Sequence, residues 1–155
     1  MGKYNFQQIS NCYLTPPELV EKALKLINKD KFDLDTCCSE ENIPANEYYK
    51  ELEHNGLTEP WKQFNWCNPP FDTSRKWVHK AYTEQFKGNT TVMLLPVRTE
   101  TAYWHDYILY NPNVSIFWLR KGPKFLNAET KQEMGVFKNA LALVIFKGIN
   151  VHIEK

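Results

Sequence analysis

The apolar positions fall into short blocks that alternate between two periods. After Thr15-Pro16-Pro17, Leu19, Val20, Ala23, Leu24 and Ile27 recur at the spacing of one helix face. The Thr15 hydroxyl followed by proline reads as a helix start, since the missing proline N–H costs nothing in a first turn. The helix is expected to end near Asn28. Lys31 to Thr36 reads as a short buried strand, with Phe32 and Leu34 alternating against Asp33 and Asp35. Cys38 to Pro60 is polar and weakly patterned, with room for one short strand or helix plus loops. Phe64 to Cys67 reads as a second strand running into Asn68-Pro69-Pro70. Ser74 to Phe86 follows as a helix with Trp77, Ala81 and Tyr82 inward, capped by Asp72 and stopped at Gly88-Asn89. Thr90 to Leu95 is an apolar strand ended by Pro96. Thr99 to Tyr110 reads as helix, Val114 to Leu119 as strand, Gly122 to Gly135 as loop and Ala140 to Phe146 as a final strand.

Strands alternating with helices predict an α/β layer fold with a mostly parallel sheet. Ligands in such folds sit beyond the C-terminal ends of the strands. That rule draws together Asp35, Asn68 and Arg98, expected after three successive strands.

The length of 155 residues allows one domain, residues 1–155, and the 43% hydrophobic content indicates a folded core. No apolar run reaches membrane-spanning length and no apolar leader opens the chain, so the expected location is the cytoplasm. Cys12, Cys37, Cys38 and Cys67 are irregularly spaced, which suits free thiols in a reducing compartment better than disulfides or a zinc site. The histidines are scattered, so no metal site is expected. A net charge of +1 implies that any nucleic-acid contact is local. The basic residues group as Arg75, Lys76, His79 and Lys80, and as Arg120, Lys121 and Lys124. Lys124, Lys131 and Lys138 fall on the expected late loop.

Asn68-Pro69-Pro70-Phe71 carries the clearest chemistry. Two prolines remove two donors and fix two φ angles, so the loop after the strand is stiff. It presents the Asn68 side chain and the Pro69 carbonyl to one space. Two acceptors so placed suit an exocyclic amine, one for each hydrogen, with the nitrogen lone pair turned out of the ring plane. Methyl transfer from a sulfonium depends on such positioning more than on a strong base. Phe71 can stack on a flat substrate.

Around this loop the chain resembles the phage-type, Dam-like DNA N-6-adenine methyltransferases, from Tyr13 to about Gly148. Tyr13-Leu14-Thr15-Pro16 resembles the N-terminal Thr-Pro element of that family. Phe32-Asp33-Leu34-Asp35 with Cys37 resembles its cofactor-binding strand. Asn55-Gly56-Leu57 with Trp61 resembles the stretch before the catalytic loop, which Asn68-Pro69-Pro70-Phe71 and Trp77 match. Leu95-Pro96-Val97-Arg98-Thr99 with Trp104-His105, and Gly122 with Phe125, resemble later elements. Thr36-Cys37-Cys38 stands where many methyltransferases carry a Gly-x-Gly turn.

The resemblance implies a Rossmann-like methyltransferase fold of reduced size. It implies S-adenosylmethionine as methyl donor, bound near Tyr13, Thr15, Pro16, Asp35, Cys37 and Asn68. It implies catalysis at Asn68, Pro69, Pro70 and Phe71, and adenine in DNA as acceptor. Phe71 would stack on a flipped base, with Arg75, Arg98, Lys124 and Phe125 as further DNA contacts. If the chain is phage-encoded, its place of action is the host cytoplasm. Related loops occur in RNA adenine and release-factor glutamine methyltransferases, so those acceptors remain open. So does an inactive DNA-binding or interaction module.

Overall fold

The computed structural model describes residues 13–133 and 139–149, and of Tyr13 the backbone alone. Cys12, Gly135, Lys138 and His152 lie outside the described residues. The strands are β1 (Tyr13–Leu14), β2 (Phe32–Cys38), β3 (Ala45–Lys50), β4 (Phe64–Cys67), β5 (Thr90–Pro96), β6 (Val114–Trp118), β7 (Leu126–Asn127) and β8 (Leu141–Phe146). The helices are α1 (Pro17–Ile27), α2 (Ser74–Gln85) and the short α3 (Ala102–Trp104). A 3₁₀ turn, Phe71–Thr73, leads into α2, and a π turn, His105–Leu109, extends α3.

Six strands form one sheet in the order β3-β2-β4-β5-β8-β6. The pairings from β3 through β5 are parallel, and β8 runs antiparallel between β5 and β6. Alternation assigns the two faces. Val92 and Leu94 of β5, with Leu141, Leu143 and Ile145 of β8, pack with α1 through Leu19, Val20, Ala23 and Leu24. Met93 and Leu95, with Ala142, Val144 and Phe146, pack with α2 and α3 through Trp77, Val78, Ala81 and Trp104. Both faces are covered, so these strands read as unbroken apolar runs.

The expected elements are present with small changes in their ends. Asn28 closes α1 in the left-handed conformation at φ 57°, a position asparagine tolerates, and the Lys29 N–H reaches back to the Leu24 carbonyl at 3.0 Å. The polar stretch after Cys38 supplies the edge strand β3, whose outer positions face water and carry no alternating signal. The helix expected from Thr99 to Tyr110 is one short α segment with a π turn. The expected loop from Gly122 is interrupted by β7, which pairs antiparallel with β1.

Two expected caps are absent. Asp72 is exposed and α2 has no side-chain cap; the 3₁₀ turn enters it instead, with the Thr73 N–H donating to the Pro70 carbonyl at 3.1 Å. Thr15 does not cap α1, whose N-cap is Pro16.

Candidate active site

The chain enters β2, crosses to the edge at β3 and returns to β4 on the other side of β2. This reversal leaves a crevice at the C-terminal ends of β2 and β4, where ligands bind in open α/β sheets. A cleft of about 30 Å³ lies there, lined by Thr15, Asp35, Cys37, Cys38, Asn42 and Asn68, among others. Of the residues expected to hold a cofactor, Thr15, Asp35, Cys37 and Asn68 are therefore gathered on one cleft. Pro16 is buried beside Thr15 but is not part of the lining. Tyr13 contributes backbone pairing to Asn127.

Asp35 lies within β2 rather than after it and is 3% exposed. Burial pushes its carboxyl up to about 8, opposed by the Cys37 backbone N–H, which donates to it at 3.3 Å. The surrounding thiols are held neutral by the same desolvation, with Cys38 pushed up to about 12 and Cys37 and Cys67 also raised. None of them is a ready thiolate nucleophile.

Asn68 follows β4 directly. Its amide nitrogen donates to the Thr15 hydroxyl at 3.3 Å. Among the described residues no donor reaches Asn68 Oδ1 or the Pro69 carbonyl. The next carbonyls are engaged: Pro70 accepts from the Thr73 hydroxyl at 3.3 Å, and Phe71 from the Ser74 hydroxyl at 3.0 Å. Pro69 and Pro70 are buried, while Asn68 and Phe71 are partly exposed. The loop thus holds two unengaged acceptors, with Asn68 lining the cleft and Pro69 next to it in the chain.

The expected trio does not assemble in full. Arg98 is exposed, donates from Nε to Glu100 at 2.6 Å and does not line the cleft, because the chain turns outward after β5. Lys124 is exposed and lies 3.8 Å from Glu133. Phe125 is 6% exposed and packs in the α1-side core, against which Phe71 also lies. Arg75 is exposed on the first turn of α2.

The structure adds Tyr49 and Glu51, which the pattern did not single out, and groups them with residues that it did. A second pocket, of about 260 Å³, shares Cys37 with the cleft and is lined also by Thr36, Tyr49, Glu51, His54, Gly56 and Trp77. Glu51 follows β3, and its signal was hidden with that strand. Gly56 sits so close to β2 that an added Cβ would lie 2.2 Å from the Thr36 carbonyl oxygen and 2.9 Å from Trp77. The Gly56 carbonyl in turn accepts from Trp61 Nε1 at 2.7 Å. Among the described residues no group of side chains could hold a metal ion, and no helix is long and apolar enough to cross a membrane.

A mostly parallel sheet with this crevice, a buried acid on β2 and an Asn-Pro-Pro-aromatic loop after β4 has the form of a Rossmann-like methyltransferase fold. The model of the family "DNA N-6-adenine-methyltransferase (Dam)" matches residues 6–154. A DNA N-6-adenine-methyltransferase of Haemophilus phage HP1 is 30% identical over 118 residues, covering 76% of this chain and 68% of that protein. One of Escherichia phage T1 is 36% identical over 78 residues, 49% of this chain and 32% of that protein. The chain belongs to this family of adenine-specific DNA methyltransferases.

Proposed function

We propose that the protein methylates the exocyclic amino group of adenine in DNA, with S-adenosylmethionine as donor. The observation that carries this reading is the pair of unengaged acceptors, Asn68 Oδ1 and the Pro69 carbonyl, on a loop stiffened by two prolines. Each accepts one N–H of the target amine, and their fixed positions hold the nitrogen lone pair out of the ring plane. Thr15 is a positioning residue, because its hydroxyl occupies the Asn68 NH₂ and keeps the oxygen available. Phe71 supplies an aromatic face beside the amine.

The residues around β2 suit the cofactor's chemistry. The Asp35 carboxylate matches a cationic amino group, Glu51 can receive hydroxyls, and Tyr49 and Trp77 offer aromatic walls to a purine. When bound, S-adenosylmethionine supplies the electrophilic methyl group. The cleft beside Asp35 is far smaller than the about 300–1,000 Å³ of a usual ligand pocket. The cleft therefore takes one end of the cofactor, and the second pocket, which shares Cys37 with it, takes the rest.

The acceptor is tested by incubating the protein with methyl-labelled S-adenosylmethionine and, separately, DNA, RNA and a mixed protein extract. Label is expected in DNA. Label confined to RNA or protein overturns the reading.

A further inference from the structure

A groove of about 960 Å³ runs along α2, from Leu57, next to Gly56 of the second pocket, to the exit of the catalytic loop. Its walls include Asp72, Arg75, Lys76, His79 and Lys80, and across from them Tyr107 of the π turn. The groove begins where the catalytic loop ends, since Asp72 and Thr73 are both its lining and the continuation of Phe71. Its charge is positive and partly free. Arg75 and Lys76 are exposed, and no ion pair engages either among the described residues. Lys80 is different: buried Glu84 holds it at 3.1 Å and compensates it. Asp72 is the single acidic group in the lining.

The opposite wall is firm. Tyr107 meets the His79 ring edge-on at 5.5 Å and packs on Tyr82 at 4.9 Å. It sits in a π turn, whose wider winding re-aims side chains and recurs at functional sites. From Arg75 to Thr83 the helix rises about 12 Å, the axial length of roughly three phosphates on one DNA strand.

We infer that this groove seats the sugar-phosphate backbone of the DNA strand flanking the base held at Asn68. Arg75 and Lys76 pair with its phosphates, and Tyr107 packs against a sugar. The inference rests on the proposed acceptor being DNA. It follows from continuity: a strand whose base enters at Asn68 must carry its backbone over the adjoining surface, and here that surface is cationic in a chain of net charge only +1.

The test uses the double variant Arg75→Ala, Lys76→Ala, whose exposed helical positions accept alanine without loss of helix. Binding of a fluorescent adenine-containing duplex is followed by anisotropy across a salt series, together with steady-state methylation. The expected result is a salt slope shallower by about 1.8, two phosphates at about 0.9 each. KM for DNA should rise about tenfold or more while kcat and S-adenosylmethionine binding stay within about twofold. Lys25→Ala, exposed on α1, should match the wild type. An unchanged slope and KM in the double variant overturns the inference, as does an equal change in Lys25→Ala. A polyglutamate peptide that displaces DNA at lower charge concentration than a competing oligonucleotide also overturns it, and marks an acidic-peptide site. Failure of the wild type to bind or methylate DNA would instead strike the acceptor reading itself.

Discussion

At the scale of single residues, the Thr15 hydroxyl accepts from the Asn68 amide nitrogen, and the amide oxygen faces outward. An asparagine side chain carries a donor end and an acceptor end of nearly equal size. Thr15 at 3.3 Å takes the donor end, so the oxygen is left for the target amine. Thr15→Val should therefore lower kcat by about tenfold with little change in melting temperature, measured by initial rates and circular dichroism. An unchanged kcat would show that the amide is oriented some other way.

Asp35 makes a second prediction, through pH. Its carboxyl is pushed up to about 8 by burial. The unfolded chain releases this proton near pH 4, while the folded chain keeps it until about pH 8. Between those values the folded state binds more protons, so the group's contribution makes stability fall as pH rises. Asp35→Asn should remove that loss and gain melting temperature relative to wild type more at pH 8 than at pH 5. Because a cationic ligand favours the ionised carboxylate, S-adenosylmethionine should bind wild type more tightly at pH 8 than at pH 6, with proton release. Calorimetry in buffers of different ionisation enthalpy measures both. Affinity independent of pH would remove Asp35 from the cofactor's charged end.

Among the elements, legibility followed periodicity. β5 and β8 could be read because each is buried on both faces and apolar throughout. α1 could be read because one face carries Leu19, Val20, Ala23 and Leu24, with only Leu26 among its large apolar residues exposed. β3 could not, because as an edge strand it buries Tyr49 fully and Ala45 and Tyr48 only in part, with polar residues between them. With β3 went Glu51 and the second pocket. The Thr15 cap was misread because a hydroxyl before proline signals a helix start whether or not it caps, and its partner here is 53 residues away in Asn68. Arg98 was misplaced by topology alone: the strand-end rule locates a residue's neighbourhood, not the direction its loop takes.

One glycine does meet the end of β2, from outside the Thr36-Cys37-Cys38 segment. The close approach at the end of β2 is made by Gly56 of the β3–β4 connection, against the Thr36 carbonyl. Gly56→Ala should cost about 3 kcal/mol or more, since backbone rather than a flexible side-chain tip blocks the methyl. Denaturant melts check this. A loss below about 1 kcal/mol would mean that the connection shifts without strain.

For the whole molecule, the sheet order creates the crevice, and the crevice sets one buried acid against one asparagine loop. The general fold and the catalytic loop were legible because strand alternation and a double proline are local signals. The cleft's partners were less so, since they come from the segment before α1, from β2 and the loop after it, and from the end of β4, and meet only in the folded chain. The groove along α2 continues from the catalytic loop and adjoins the second pocket through Gly56 and Leu57.

The account turns on the Asn68 loop methylating adenine in DNA. The most direct measurement is nucleoside mass spectrometry of unmethylated plasmid DNA after incubation with S-adenosylmethionine and either wild type or Asn68→Ala. Wild type should produce N6-methyladenine, and Asn68→Ala, folded by circular dichroism, should produce at least about 100-fold less. Equal N6-methyladenine from both proteins, or none from wild type, would contradict it.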